Sequence, residues 1–92
     1  MNDTDQVHIA SLVVRTRPQA LEAVAEAIAG WAEAEIAAQD PQGKLVVVLE
    51  TSSEAQILDR IDAISPMPGV LSANLVYHQS ESAKTLDEEI EP

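Results

Sequence analysis

The apolar positions change their period along the chain, and the changes divide it into elements. Val7-His8-Ile9-Ala10-Ser11-Leu12-Val13-Val14-Arg15 is rich in β-branched residues and predicts a first strand. Thr16-Arg17-Pro18 stops it, and Pro18 at a first helical position, with Thr16 three residues before Gln19, predicts a helix start. Leu21, Val24 and Ile28 then recur at helical spacing, and Gly30 closes the helix as a candidate for the left-handed conformation. From Ala32 to Gln39 the pattern alternates. Alanine and glutamate favour helix, but the period of two, set between Gly30 and the turn Asp40-Pro41-Gln42-Gly43, predicts a second strand. Lys44 to Glu50 predicts a third. Thr51 with Glu54 reads as a capping box, followed by Ile57, Leu58, Ile61 and Ile64 on one helical stripe. Ser65-Pro66-Met67-Pro68-Gly69 ends that helix, and Val70 to His78 predicts the last strand.

The order β-α-β-β-α-β, with right-handed crossovers and a central hairpin, predicts an α+β domain of ferredoxin-like architecture: a four-stranded antiparallel sheet with both helices on one face. One such domain is expected over residues 7–79, with a disordered N-terminus at 1–6 and an acidic, disordered tail at 80–92. A sheet covered on one side sorts its strand residues into two sets. With Pro41 and Gln42 as a two-residue loop, Gln39 pairs with Lys44. Ala34, Ile36, Ala38, Leu45, Val47 and Leu49 then face the helices, together with Ala10, Leu12 and Val14, and Leu71, Ala73, Leu75 and Tyr77. The open face receives Ile9, Ser11, Val13 and Arg15 from the first strand, Glu33, Glu35, Ala37 and Gln39 from the second, Lys44, Val46, Val48 and Glu50 from the third, and Ser72, Asn74, Val76 and His78 from the last. Its apolar part is Ile9, Val13, Val46, Val48 and Val76. A contiguous apolar patch of that kind suits a partner, whereas scattered exposed valines are ordinary surface.

The 92 residues, 46% of them apolar, suffice for one core and not two. No cysteine is present, which excludes a disulfide scaffold, cysteine-ligated metal and a thiol nucleophile. The longest apolar run, Leu45 to Leu49, is far too short to span a membrane, and the acidic N-terminus is no secretory signal, so a cytoplasmic location is expected. The net charge of −11 leaves −5 on the body from Val7 to His78, which is the wrong sign for binding nucleic acid or an anionic membrane surface. Such acidity keeps a small protein dispersed, and it also speeds encounter with a cationic partner.

Reactive side chains are few. His8 and His78 fall on neighbouring strands and can approach each other, but no third ligand stands at metal-binding spacing, so no metal is expected. Glu33 and Glu35 share a face, yet on a solvated edge they read as an acidic rim and not as a catalytic dyad. Gly30, Gly43 and Gly69 each mark a turn and form no phosphate loop, and Trp31 and Tyr77 are too few aromatics for stacking bases. No enzymatic function is expected.

Three stretches together resemble one family: Ser11-Leu12-Val13-Val14; Gly43-Lys44-Leu45-Val46-Val47-Val48-Leu49-Glu50; and Gly69-Val70-Leu71 continuing to Leu75-Val76-Tyr77-His78-Gln79. Over Val7 to Gln79 the chain resembles NapD proteins, the cytoplasmic chaperones of periplasmic nitrate reductase. The resemblance implies a binding protein with no cofactor of its own. Its partner would be the twin-arginine signal peptide of the nitrate reductase catalytic subunit precursor, held back from export while the client receives its molybdenum cofactor. The docking surface it implies is the sheet, with the peptide helical, which places Ile9, Ser11, Val13, Glu33, Glu35, Ala37, Val46, Val48, Glu50, Asn74, Val76 and His78 in the site. The rival reading of the same fold is a regulatory domain of ACT type, which binds a small molecule at a dimer interface.

Overall fold

The computed structural model describes residues 6–82. The strands β1 (Gln6–Thr16), β2 (Ala34–Asp40), β3 (Lys44–Thr51) and β4 (Val70–Ser82) form one antiparallel sheet in the order β2-β3-β1-β4. The helices α1 (Leu21–Ala29) and α2 (Glu54–Ile64) make the two crossovers. This is the ferredoxin-like arrangement, α+β, that the pattern predicts. The expected head and tail fall at residues 1–5 and 83–92 outside the described residues, while residues 6 and 80–82 belong to strands.

β1 and β3 pair without interruption from His8↔Thr51 to Arg15↔Lys44, so strict alternation holds. Ala10, Leu12 and Val14 from β1 and Leu45, Val47 and Leu49 from β3 are fully buried against Val24, Ile28, Ile57 and Ile64 of the helices. Removing each Leu or Ile side chain from water contributes about 1.5–3 kcal/mol. The whole core lies on that one side of the sheet.

Several local details depart from the sequence reading. A 3₁₀ turn, Pro18–Ala20, precedes α1. Thr16 does not cap the helix: its hydroxyl donates to the carbonyl of Arg17, and the chain enters α1 through the proline turn without a side-chain cap. Gly30 has φ −73°, so no left-handed residue ends α1. Ala32 and Glu33 belong to the turn before β2 and not to the strand. The cap of α2 is Ser53 instead of Thr51. Its hydroxyl accepts the amide of Gln56 at 3.2 Å, while Thr51, still in β3, donates to the carbonyl of Ser53.

The hairpin loop has three residues, Pro41-Gln42-Gly43, and Asp40 pairs with Lys44. The Gly43 amide donates to the Asp40 carbonyl, and Gly43 has φ +114°, the positive-φ residue that a three-residue hairpin needs. That extra loop residue is absorbed by a bulge. Ile36 lies opposite Val47 as predicted, but Ala38 lies opposite Val46 and therefore on the open side, leaving Ala37 unpaired between them.

β4 carries two more bulges. Leu71 is skipped between Val70 (opposite Thr16) and Ser72 (opposite Arg15), and Val76 is skipped between Leu75 (opposite Leu12) and Tyr77 (opposite Ser11). Leu71 and Leu75, both expected in the core, are 62% and 41% exposed, although Leu75 keeps its place on the helix side opposite Leu12. The second bulge reverses everything after it. Tyr77, expected in the core, shares the open face with Ser11 and is 52% exposed, and His78, expected on the open face, lies opposite buried Ala10 on the helix side. A bulge adds one residue to one strand and so resets the parity on which alternation depends.

Candidate functional site

No element of the described residues packs on the open face of the sheet, and it collects three kinds of side chain. In its centre, Val13 stands opposite Val46, Ser11 opposite Val48 and Ile9 opposite Glu50, with all the valines and Ile9 half-buried by their neighbours. β2 adds Glu35 opposite Val48 and Ala38 opposite Val46. β4 adds Asn74 opposite Val13, Tyr77 opposite Ser11 and Gln79 opposite Ile9. The Tyr77 hydroxyl donates to the side-chain oxygen of Gln79 at 2.6 Å.

Of the predicted site residues, Ile9, Ser11, Val13, Glu35, Val46, Val48, Glu50 and Asn74 thus come together on one surface. Val76 borders it from the bulge, 60% exposed, and Ala37 occupies the bulge of β2. His78 does not belong to this face. Its Nε2 lies 3.1 Å from Nδ1 of His8 on the helix side, with the two rings stacked at 5.4 Å. One ring nitrogen of that contact must carry the proton and the other the lone pair.

Glu33 lies next to the face but is committed elsewhere. Its carboxylate is ion-paired with the Arg60 guanidinium of α2, which also stacks over the Trp31 ring at 4.8 Å. Arg60 therefore ties the α1–β2 turn to α2, through a part-exposed ion pair worth up to about 1 kcal/mol and a cation–π contact of similar size. Glu33, Glu35 and Glu50 all line a groove of about 770 Å³ that wraps from the open face around the ends of β2 and β3 to Ser52, Gln56 and Arg60. With Glu33 neutralised, Glu35 and Glu50 are the acids left to meet a cation there.

Sequence reasoning missed Tyr77, Gln79 and Ala38, which no compositional mark assigns to this face because bulges put them there. It also missed Arg60, whose partner is 27 residues distant. Among the described residues no group of three or more His, Asp or Glu side chains could hold a metal ion, and no helix is long and apolar enough to cross a membrane. The face offers apolar area, hydrogen-bonding groups, the carboxylates of Glu35 and Glu50 at one end, and Arg15, Lys44 and Asp40 at the other. That is the equipment of a binding surface.

Residues 7–82 match the profile of the family described as NapD protein. The chain belongs to the NapD family. Chaperone NapD of Haemophilus influenzae is 28% identical over 89 residues, covering 88% of this chain and 96% of that one. Chaperone NapD of Escherichia coli K12 is 31% identical over 79% of this chain and 85% of its own length. Chaperone NapD of Paracoccus pantotrophus is 42% identical over the same share of this chain and 64% of its own. The solution structure of the E. coli Tat proofreading chaperone protein NapD superposes with a TM-score of 0.71 at 30% identity, covering 82% of this chain and 80% of that structure. NapD proteins are chaperones and not enzymes, and this member is a chaperone.

Proposed function

We propose that this NapD-family chaperone binds the twin-arginine signal peptide of a periplasmic nitrate reductase catalytic subunit precursor in the cytoplasm, delaying export until the client is folded and loaded. The observation that carries this reading is the sheet face on which no element of the described residues packs, where Ile9, Val13, Val46 and Val48 form an apolar strip ending at Glu35 and Glu50. A signal peptide of this kind has an arginine pair followed by an apolar stretch, and the face matches both parts. These side chains are already half-buried, so completing their burial would contribute about 1 kcal/mol each before the cost of association, and affinity rests on the strip. Exposed carboxylate–guanidinium pairs add under about 1 kcal/mol each, and they favour orientation and encounter rate over affinity. Every strand except at the two edges of the sheet has neighbours on both sides, so a ligand on the face gains no backbone hydrogen bonds from it. An apolar peptide there satisfies its own amides best as a helix.

The test is a calorimetric titration with a synthetic twin-arginine signal peptide from a nitrate reductase precursor, and with the same peptide carrying lysines for the arginine pair. Micromolar or tighter binding that weakens in the lysine peptide is the expected result. Absence of binding would remove the signal peptide as the ligand of this face.

A further inference from the structure

The open face is electrically polar along its strands. At one end Glu50 stands opposite Ile9, with Glu35 one row inwards on β2. At the other end Arg15 and Lys44 stand directly opposite each other across β1 and β3, both exposed, with Asp40 of β2 opposite Lys44 and Ser72 of β4 opposite Arg15, so this end keeps one net positive charge. Like charges facing each other across a strand pair are unfavourable, and Asp40 opposite Lys44 offsets only part of that cost. Between the two ends lie the Val13–Val46 and Ser11–Val48 rows, which carry no charge on β1 or β3. The six residue steps from Lys44 to Glu50 span about 20 Å, the length of about 13 residues of α-helix.

We infer that the face fixes the direction of its ligand: a helical peptide lies along β1 and β3 with its basic N-terminal residues at Glu35 and Glu50 and the C-terminal end of its apolar run at Arg15 and Lys44. The inference rests on the peptide-binding reading above and adds polarity to it. Charge complementarity is the argument. Arginines at the start of the peptide meet the two carboxylates. The negative end of the helix macrodipole, with its unsatisfied carbonyls, meets the guanidinium and ammonium of Arg15 and Lys44. The reverse orientation sets arginines against Arg15 and Lys44 and helix carbonyls against Glu35 and Glu50, and is penalised at both ends. On this view the facing cations read the far end of the ligand.

The chain has no cysteine, so a single introduced thiol can carry a nitroxide label. Gln42→Cys places it in the exposed hairpin loop beside Lys44, and Ala55→Cys places it in the exposed first turn of α2 beyond Glu50. Each labelled protein is mixed with a twin-arginine signal peptide isotopically labelled at both ends of its apolar run, and paramagnetic broadening of the peptide signals is read. The label at position 42 is expected to erase signals at the C-terminal end of the run, and the label at position 55 those next to the arginines. The opposite pattern, or equal broadening of both ends from both labels, overturns the fixed direction while leaving peptide binding intact. No binding by calorimetry to the unlabelled protein overturns the binding reading itself, and the inference with it.

A second measurement uses no label. A peptide ending just after its apolar run with a free carboxylate is expected to bind several-fold more tightly than its C-terminal amide. That difference is expected to vanish in the Arg15→Gln/Lys44→Gln protein. Equal affinity of the two peptides for the unmodified chain would overturn the placement of the C-terminal end.

Discussion

His8 and His78 hydrogen-bond to each other across β1 and β4, ring nitrogen to ring nitrogen at 3.1 Å, on the face opposite Ile9 and Gln79. The contact fastens the β4 segment that follows its second bulge. His78→Ala removes the bond and the stacking, and is expected to lower stability by about 1 kcal/mol. Amide exchange should quicken at Ile9 and Gln79 well before it does at Leu12 or Val14. Unchanged exchange at that end of the ribbon would show that the backbone ladder holds it without the imidazoles.

Gly43 combines φ +114° with a packed neighbour. A Cβ there would lie 2.2 Å from the Thr16 carbonyl oxygen, whose residue also donates its amide to the Gly43 carbonyl. Gly43→Ala is therefore expected to cost at least about 2 kcal/mol, visible as a lower urea midpoint with an unchanged slope. At Gly69, with φ +88°, the obstacle is the Ala20 methyl at 2.2 Å. Ala20→Gly should then recover part of the loss caused by Gly69→Ala, and what remains after subtracting the cost of Ala20→Gly alone measures the backbone strain.

The two faces of the sheet should respond differently to truncation. Leu12→Ala empties a fully buried position and is expected to cost about 2–5 kcal/mol. Val13→Ala and Val48→Ala, on half-buried sites of the open face, should cost under about 1.5 kcal/mol in unfolding while weakening signal-peptide binding several-fold each. Paired denaturation and calorimetry on the same preparations separate the two effects.

The acids divide in the same way. Charge reversal at Glu35 or Glu50 is expected to weaken binding by up to about fivefold at low salt and to flatten its salt dependence, with little change in stability. Reversal at Glu33 should instead lower stability by about 1 kcal/mol or more, because it strands Arg60 over Trp31 beside a like charge. A larger binding defect at Glu33 than at Glu35 would show that the Arg60 pair opens to receive the ligand.

Alternation along β1 and β3 was readable because those strands pair from His8↔Thr51 to Arg15↔Lys44 with no residue skipped. The hairpin centre, Ile36 opposite Val47, was readable for the same reason. Errors begin at each skipped residue. Ala37, Leu71 and Val76 carry no glycine or proline to announce a bulge, and each shifts its own strand by one position. That shift exchanged the faces of Ala38 with Gln39 and of Tyr77 with His78. The ion pair of Glu33 was hidden because Arg60 reads, in sequence, as one more charge on the solvated side of α2. The approach of His8 to His78 was legible from topology alone, although the face on which they meet was not.

Because the core takes only the even-numbered side chains of β1, from Ala10 to Val14, and the odd-numbered side chains of β3, from Leu45 to Leu49, the other alternate positions answer to a different constraint. Packing density restricts the first set to shapes that interlock with α1 and α2. The second set contributes little to holding the chain folded, so replacements there can accumulate without unfolding it. With the open stripe as the proposed contact with a client's leader sequence, residues that would set recognition can be exchanged while those that hold the core stay fixed.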